Sequence, residues 1–176
     1  MSQTTITVRA SRDDVRKAIL TLPQEVVISN AAVDDILARC AMVILGRVKQ
    51  AFIVKARGGT DEAGDKWEPL KPATIKRRRG KSQSVEILRD TGLLLNSLSP
   101  GMASPNQVLV LGRGDIVLGT NRKGAAAHHH GVPKRNLPQR RLWPDPDKWP
   151  DSWREDVLDA ARDGMIQVIA QTIRET

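Results

Sequence analysis

The side chains of this sequence best suited to catalysis or metal binding fall in two short segments. The only histidines are the consecutive residues 128–130, so any general base of a Ser/His/Asp or Cys/His set must come from this triplet. Consecutive side chains on a helical turn point about 100° apart, so at most two imidazoles can meet one metal ion, and no acid is close in sequence. The triplet therefore favours a structural turn over a catalytic or metal site.

The second segment is a glycine-rich loop over residues 58–64 and the acid that follows it. Asp61, Glu62 and Asp65 are the kind of carboxylates that hold Mg²⁺ in nucleases. However, the composition predicts a flexible connector, without the spacing or the strand–loop–helix context of a phosphate-binding loop. Cys40, the single thiol, lies in an apolar helical pattern and is expected to be buried. We therefore predict no enzyme activity, metal or cofactor; an enzyme alternative would depend on Asp61 or Asp65.

The positive charge of the chain is unevenly distributed. The net charge is +8, but eight acids and four bases from Asp145 onward give −4, so the first 144 residues carry +12. The bases are densest in two runs. These are Lys76, Arg77, Arg78, Arg79 and Lys81, and then Lys134, Arg135, Arg140 and Arg141. Such runs suit contact with phosphates, a solvated face, or contact with the acidic C-terminal helix of a neighbouring copy.

Sequence-specific nucleic-acid recognition is disfavoured by the types of residue present. The basic runs lack the interleaved Asn, Gln or Ser that read base edges. Aromatic residues make up 3% of the chain, so there is little material for stacking single-stranded bases. Any contact with DNA is therefore expected to be insensitive to sequence.

Hydrophobic periodicity predicts two long helices, from about Ala32 to Val54 and from Ser152, as N-cap, to Arg174. Alternating β-branched and apolar residues predict a strand at 4–9 and a hairpin of Gln107–Leu111 with Asp115–Gly119. Shorter helices are predicted at 11–22, after Pro72, at 90–98 and at 124–128. The expected fold class is α+β, with two long helices packed on a small antiparallel β-sheet and long loops.

The length of 176 residues suits one domain with a single core. Within it we predict an N-terminal strand and helix extension over 1–30 and an α+β domain over 31–176. The polar start has no apolar stretch of a signal peptide, and no run approaches the ~18–20 apolar residues of a membrane span. We therefore expect the protein to be made and to mature in a reducing cytoplasm, without a membrane partner.

Five short motifs occur in a fixed order along the chain. They contain Trp67, Pro69, Leu70 and Thr74; Thr91, Gly92 and Leu93; Gly119; His128 and Gly131; and Pro138 and Arg140. Together, over about residues 31–175, they resemble the phage virion morphogenesis family, the tail completion proteins of Mu-like and related tailed bacteriophages. The chain departs from that family in having no tyrosine before its alanines, and in replacing Gln-Phe by His129-His130. It also lacks the phenylalanine after Arg140, for which Trp143 is the expected substitute.

The resemblance implies a structural virion protein of the phage neck or tail end, located in the virion and assembled in the host cytoplasm. The implied partners are further copies in a ring, commonly a hexamer, together with the head connector or adaptor, the tail tube and genome DNA in the lumen. No small-molecule substrate is implied. The alternative is a sequence-independent DNA-binding protein. We expect the motif residues to specify the fold first: Gly92 and Gly131 through positive φ or close packing, and Trp67 and Pro69 by fixing the glycine-rich loop to the core.

Overall fold

The computed structural model of the chain describes residues 4–8, 29–81, 83–101, 104–112 and 115–175. In chain order the helices are α1 (Asn30–Ala56), α2 (Pro72–Arg79), α3 (Leu93–Asn96), α4 (Ala125–His130) and α5 (Asp151–Glu175). The strands are β1 (Thr4–Val8), β2 (Gln107–Gly112) and β3 (Asp115–Thr120). Short 3-10 turns occupy Pro133–Arg135 and Pro146–Lys148. The helix predicted at 11–22 lies outside the described residues.

The three strands form one antiparallel sheet in the order β1–β3–β2. Val110 of β2 and Thr7 of β1 both pair with Val117 of the central strand β3. The predicted hairpin is confirmed, and so is the α+β class. Because β1 pairs with β3, the N-terminal strand is built into the sheet of the main domain; the boundary near residue 30 stays a prediction.

The long helices α1 and α5 pack against each other in antiparallel directions. Ile36 of α1 lies beside Gly164 of α5, whereas Arg47, further along α1, pairs with Asp156 near the start of α5. A Cβ atom at Gly164 would lie 2.9 Å from Ile36 Cγ1, so glycine allows the two backbones to approach. Cys40 is buried in this interface as predicted, and burial raises the pKa of its thiol.

The ends of the predicted helices show where local pattern was insufficient. Ser29 caps α1, since its Oγ accepts a 3.2 Å hydrogen bond from Ala32 N, and the helix runs two residues beyond each predicted end. The helix predicted at 90–98 is only the single turn α3, because Gly92 has a left-handed φ of 73° immediately before it. Ser152 is not the cap of α5: the helix begins at Asp151.

The core lies between α1, the sheet and the segments that cross over them. Phe52 of α1 and Trp67 are both almost fully buried, with ring centroids 4.9 Å apart in an edge-to-face contact. The same cluster also contains Leu118 of β3, Trp153 of α5, and Leu142 from the segment between α4 and α5. The motif segments that follow Trp67 are therefore positioned by the face of α1 that covers the sheet.

Candidate assembly surface

Two of the five family motifs are joined by hydrogen bonds from side chains to backbone carbonyl oxygens. Trp67 Nε1 donates a 2.8 Å hydrogen bond to the carbonyl oxygen of Arg141, and Lys55 Nζ donates a 3.0 Å bond to the same oxygen. Arg140, one residue earlier, donates through Nε and Nη2 to the carbonyl oxygen of Glu68, at 3.3 and 3.2 Å. The Trp67 segment and the Pro138 loop are thus joined through side chains that bind backbone, and we call this group the motif cluster.

Lys55 and Asp61 place a buried ion pair beneath the glycine-rich loop. Lys55 Nζ lies 2.8 Å from Asp61 Oδ2, in a close contact that lacks hydrogen-bond alignment, and both side chains are almost completely buried. Asp61 Oδ1 also accepts hydrogen bonds from the backbone N–H groups of Ala63 and Asp65, at 3.1 and 2.8 Å. The prediction of a flexible connector is therefore wrong, because a charged group buried inside the loop holds it to α1.

Glu62 fixes the outer side of the same loop to α5. Its carboxylate accepts hydrogen bonds from Ser152 Oγ at 2.8 Å and Trp153 Nε1 at 3.1 Å, and it lies 3.4 Å from Arg47 Nη1. Asp65 lies at the opposite side of the loop, 4.0 Å from Arg141. The loop acids are thus engaged in internal contacts with different partners. Among the residues that the structure describes, no group of three or more metal-ligating side chains occurs.

The histidine triplet forms the helical turn α4 and belongs to the motif cluster. Leu142 N donates a 3.2 Å hydrogen bond to His129 Nδ1, so the neutral ring carries its proton on Nε2. Burial lowers the pKa of His129 to about 4, with a further lowering by His130. Burial, followed by the charge of Arg140, also lowers the pKa of His128. The lowered pKa values favour neutral rings at His128 and His129 around neutral pH, which suits a structural turn.

Gly131 follows α4 and is held at a conformation that other residues rarely adopt. Its φ is 74°, and a Cβ atom there would lie 2.9 Å from Gln139 N. Gly92 also has positive φ, with open space around it. Both glycines were predicted for these reasons, and the expectation is confirmed. Gly131 is thus what lets the Pro138 loop cross α4 closely enough for Arg140 N to donate to the His128 carbonyl oxygen, at 2.7 Å.

The other motif residues divide between the interior and the surface. Gly119 is buried in β3, and Trp143 is buried against His129 with ring centroids 4.6 Å apart. The partly buried residues are Leu70, Thr74 and Pro138, and the exposed ones are Pro69, Thr91 and Leu93. Trp67 fixes the loop region to the core as predicted, whereas the exposed Pro69 is not buried against it.

The basic run 76–81 contains one structural arginine among surface bases. Arg78 is buried, and its Nη1 donates to the carbonyl oxygens of Ser84 and Glu86 at 3.1 and 2.8 Å. We therefore correct the prediction of Arg78 as a contact residue: its guanidinium fixes the chain that follows α2. The bases around it are exposed and have no ion-pair partner within the described part of the chain. These are Lys76, Arg77, Arg79 and Lys81.

The second basic run, like the first, contains one arginine whose guanidinium is buried. Burial lowers the pKa of Arg140, Glu68 raises it, and the nearby charge of Arg78 lowers it. The charges of the two buried guanidinium groups therefore act on each other, while Lys134 and Arg135 of the second run are exposed. Arg141 is engaged internally, 3.1 Å from Asp145. We call the exposed bases of the two runs, taken together, the basic patch: Lys76, Arg77, Arg79, Lys81, Lys134 and Arg135.

Helix α5 carries the opposite charge. Asp156 is used internally against Arg47, and Asp159 pairs with Arg162 at 3.0 Å. Glu155 and Asp163 are exposed, and neither has an ion-pair partner in the described part of the chain. The two basic runs therefore present exposed bases, and α5 presents exposed acids.

Lys55, Asp61 and Glu62 of the loop network were not predicted as structural residues. Lys55 falls at the helical spacing of Val48, Ala51 and Phe52, which face the core, so its position on the buried face of α1 was readable. Nothing local distinguishes Asp61 from its neighbouring acids, because its partner is supplied by the fold.

None of the described helices is both long and apolar enough to cross a membrane. In comparison with known proteins, residues 14–152 match the sequence model of the phage virion morphogenesis family. The match starts earlier than the resemblance at residue 31 indicated, and it ends at the beginning of α5. No curated protein and no solved structure matches the chain.

Proposed function

Because this chain belongs to the phage virion morphogenesis family, it is a protein of virion assembly, and we propose that it is a ring subunit of the neck or tail end. In this role it joins the tail to the head connector, with the tail tube and connector as its neighbours. The observation that carries the proposal is the family match, and the distribution of surface charge supports it. No step of this role requires a cofactor or a bound metal.

A closed ring needs two different patches on each subunit, because the contact repeats head to tail. The basic patch and the exposed acids of α5, Glu155 and Asp163, form such a complementary pair. Within the described part of the chain, Glu155 and Asp163 are exposed without ion-pair partners, as are Arg77 and Arg79 on the basic side. Charges that the fold does not pair internally are available to a neighbouring copy, and complementary patches guide association and suppress wrong orientations.

Charge reversal at the basic patch tests this arrangement. Arg77→Glu with Arg79→Glu changes two exposed bases and leaves the structural Arg78 in place. We expect loss of rings in electron micrographs of the purified chain, and a wild-type assembly that weakens as salt is raised. Lys66→Glu with Lys123→Glu is the matched control, since it reverses two exposed bases outside the patch. Unchanged rings in the Arg77/Arg79 variant at both low and high salt would show that the charge pairing is wrong.

Placement in the virion is tested separately. An image reconstruction of virions carrying the labelled protein should show the label between head and tail or at the tail end. Label in the capsid shell or at the distal tip would overturn the neck and tail-end assignment, whatever the purified chain does.

A second function, sequence-independent binding of DNA, is favoured by the unpaired bases of the basic patch. In a neck ring the same bases would line the lumen, where weak contacts let the genome slide. Filter binding across a salt series distinguishes these roles: a lumen predicts weak binding that is lost well below physiological salt, and a DNA-binding protein predicts tight binding by the monomer. Absence of binding even at low ionic strength would exclude both DNA roles.

A further inference from the structure

The outward face of α5 carries an apolar stripe that the described residues leave exposed. Leu158 is 50% exposed and Ile166 is 63% exposed, eight residues apart on the helix. Met165 and Ile169 are partly exposed and lie on the same side by helical spacing. The opposite side of α5, with Trp153 and Val157, packs on the core. We call Leu158, Met165, Ile166 and Ile169 the α5 stripe.

Single exposed aliphatic residues are ordinary on protein surfaces, but a stripe at helical spacing is the pattern of a helix that docks. The helix already packs its opposite face against α1 and the core, and the described residues leave the stripe exposed. Charged side chains lie among and beside the residues of the stripe: Arg162, which pairs with Asp159, and the acids Glu155 and Asp163, which have no ion-pair partner in the described part of the chain. The occupant must therefore offer apolar surface next to positive charge.

A second copy of this chain offers such a surface beside α2. Arg78 Nη1 binds the carbonyl oxygens of Ser84 and Glu86, and so holds the intervening Val85 at the surface. Val85 is 40% exposed, and Gln83 N donates to the Arg78 carbonyl oxygen, which keeps this segment beside the end of α2. Val85 with Arg79 and Lys81 thus presents one aliphatic side chain next to exposed bases.

Two α5 helices pairing with each other would be a poorer arrangement. Asp151–Glu175 contains six acids and three bases, so two copies would bring like charges together. We propose that the α5 stripe of one copy docks on the surface formed by Arg79, Lys81 and Val85 of the next. This inference rests on the proposed ring and deepens it, by adding an apolar contact to the charge pairing. Because the family match ends at residue 152, the stripe lies in a part of the chain beyond that match.

Thiol cross-linking tests which surfaces meet. Cys40 is buried, so in the full chain Ile166→Cys and Val85→Cys each add one exposed thiol. The two variants are purified separately, mixed, and treated with a short bis-maleimide. We expect a cross-linked pair in the mixture and little product from either variant alone. Val110→Cys is the control partner for Ile166→Cys, because Val110 is 57% exposed on β2 at the edge of the sheet.

Each cross-linking outcome decides the proposal. A pair that forms only in the Ile166/Val85 mixture supports the head-to-tail contact. Cross-linking of Ile166→Cys with itself, or equally well with Val110→Cys, overturns it. A wild-type chain that stays monomeric at every concentration and salt also overturns it.

Sedimentation equilibrium measures the contribution of the stripe. Leu158→Glu with Ile166→Glu should weaken self-association about tenfold or more, since two aliphatic side chains are no longer buried and acids are placed in their stead. Circular dichroism should be unchanged because both positions are exposed. The matched control is Val54→Glu with Val110→Glu, which places acids at two exposed valines outside the stripe. Wild-type affinity in the stripe variant would overturn the stripe contact but not the proposed neck role. Cross-links between Ile166→Cys and Val85→Cys in a protein located elsewhere in the virion would support the contact and overturn the neck role.

Discussion

The two basic runs of the chain have similar composition, but the fold treats individual residues within each run differently. In the run 76–81 the guanidinium of Arg78 is buried on backbone carbonyls, whereas those of Arg77 and Arg79 are exposed. In the run 134–141 Arg140 is buried and donates a hydrogen bond to the Glu68 carbonyl oxygen, whereas Arg135 is exposed. Each run thus supplies one arginine to the interior and leaves others exposed, while Arg141 of the second run pairs internally with Asp145. A basic run is therefore not a single functional unit, and substitutions must be chosen residue by residue.

The same contrast applies to the loop acids and the histidines. Asp61 is buried against Lys55, while the neighbouring Asp65 is partly exposed. His129 is buried against Trp143, while His130 is exposed. Buried members of such pairs should control stability, and exposed members should control association.

The largest effect is expected at the buried ion pair. Asp61→Asn retains the shape of the side chain but leaves the Lys55 ammonium uncompensated, and should lower the free energy of unfolding by about 3–5 kcal/mol. Asp65→Asn is the control and should cost about 1 kcal/mol or less, because its contact with Arg141 is partly exposed. Urea unfolding followed by circular dichroism measures both. Equal effects in the two variants would contradict a special role for Asp61; Lys55→Met in the Asp61→Asn chain should recover part of the loss.

An effect of about 3 kcal/mol is expected from acidification at His129. The pKa of this residue in the fold is about 4, against an ordinary value of 6.5, which the unfolded chain should have. Between these values the unfolded chain binds a proton that the folded chain does not, so stability is complete above pH 6.5 and falls as the pH drops toward 4. His128, whose pKa is also lowered, adds to the loss.

Unfolding by urea at a series of pH values measures this dependence. The charges that act on His129 are those of His130, Asp145, Arg141 and Lys55. His129→Gln should flatten the dependence between pH 6.5 and 4. The same slope in the variant and in the wild type would mean that another group is responsible.

The smallest stability effects, and the sharpest contrast, are expected within the run 76–81. Arg78→Gln should cost about 1–3 kcal/mol, because the Ser84 and Glu86 carbonyl oxygens lose a charged donor. Arg77→Gln changes an exposed side chain and should stay within about 0.5 kcal/mol of the wild type. Arg77→Gln should fold normally, but we expect it to weaken ring assembly. Comparable losses of stability in both variants would remove the distinction between buried and exposed arginines.

Much of the fold was predictable because its signals are local. The periodicity of α1 and α5, the alternation of β2 and β3, and the glycine at residue 131 depend on neighbours within a few residues. The cap of α5 was misassigned because Ser152 donates to Glu62, a residue 90 positions away. The glycine-rich loop was misjudged for a similar reason, since composition alone does not show that Asp61 has Lys55 beneath it.

The sequence by itself determined the elements, the charge imbalance between the acidic C-terminal segment and the rest, and the ordered motifs that indicate the family. Only the tertiary structure decided which of several identical side chains is buried. Arg77, Arg78 and Arg79 have equal local propensities, and Arg78 differs because carbonyl oxygens of the following segment lie within its reach. Burial is set by contacts between segments distant along the chain. The surface left for assembly is therefore a property of the fold, although the residues that form it are plain in the sequence.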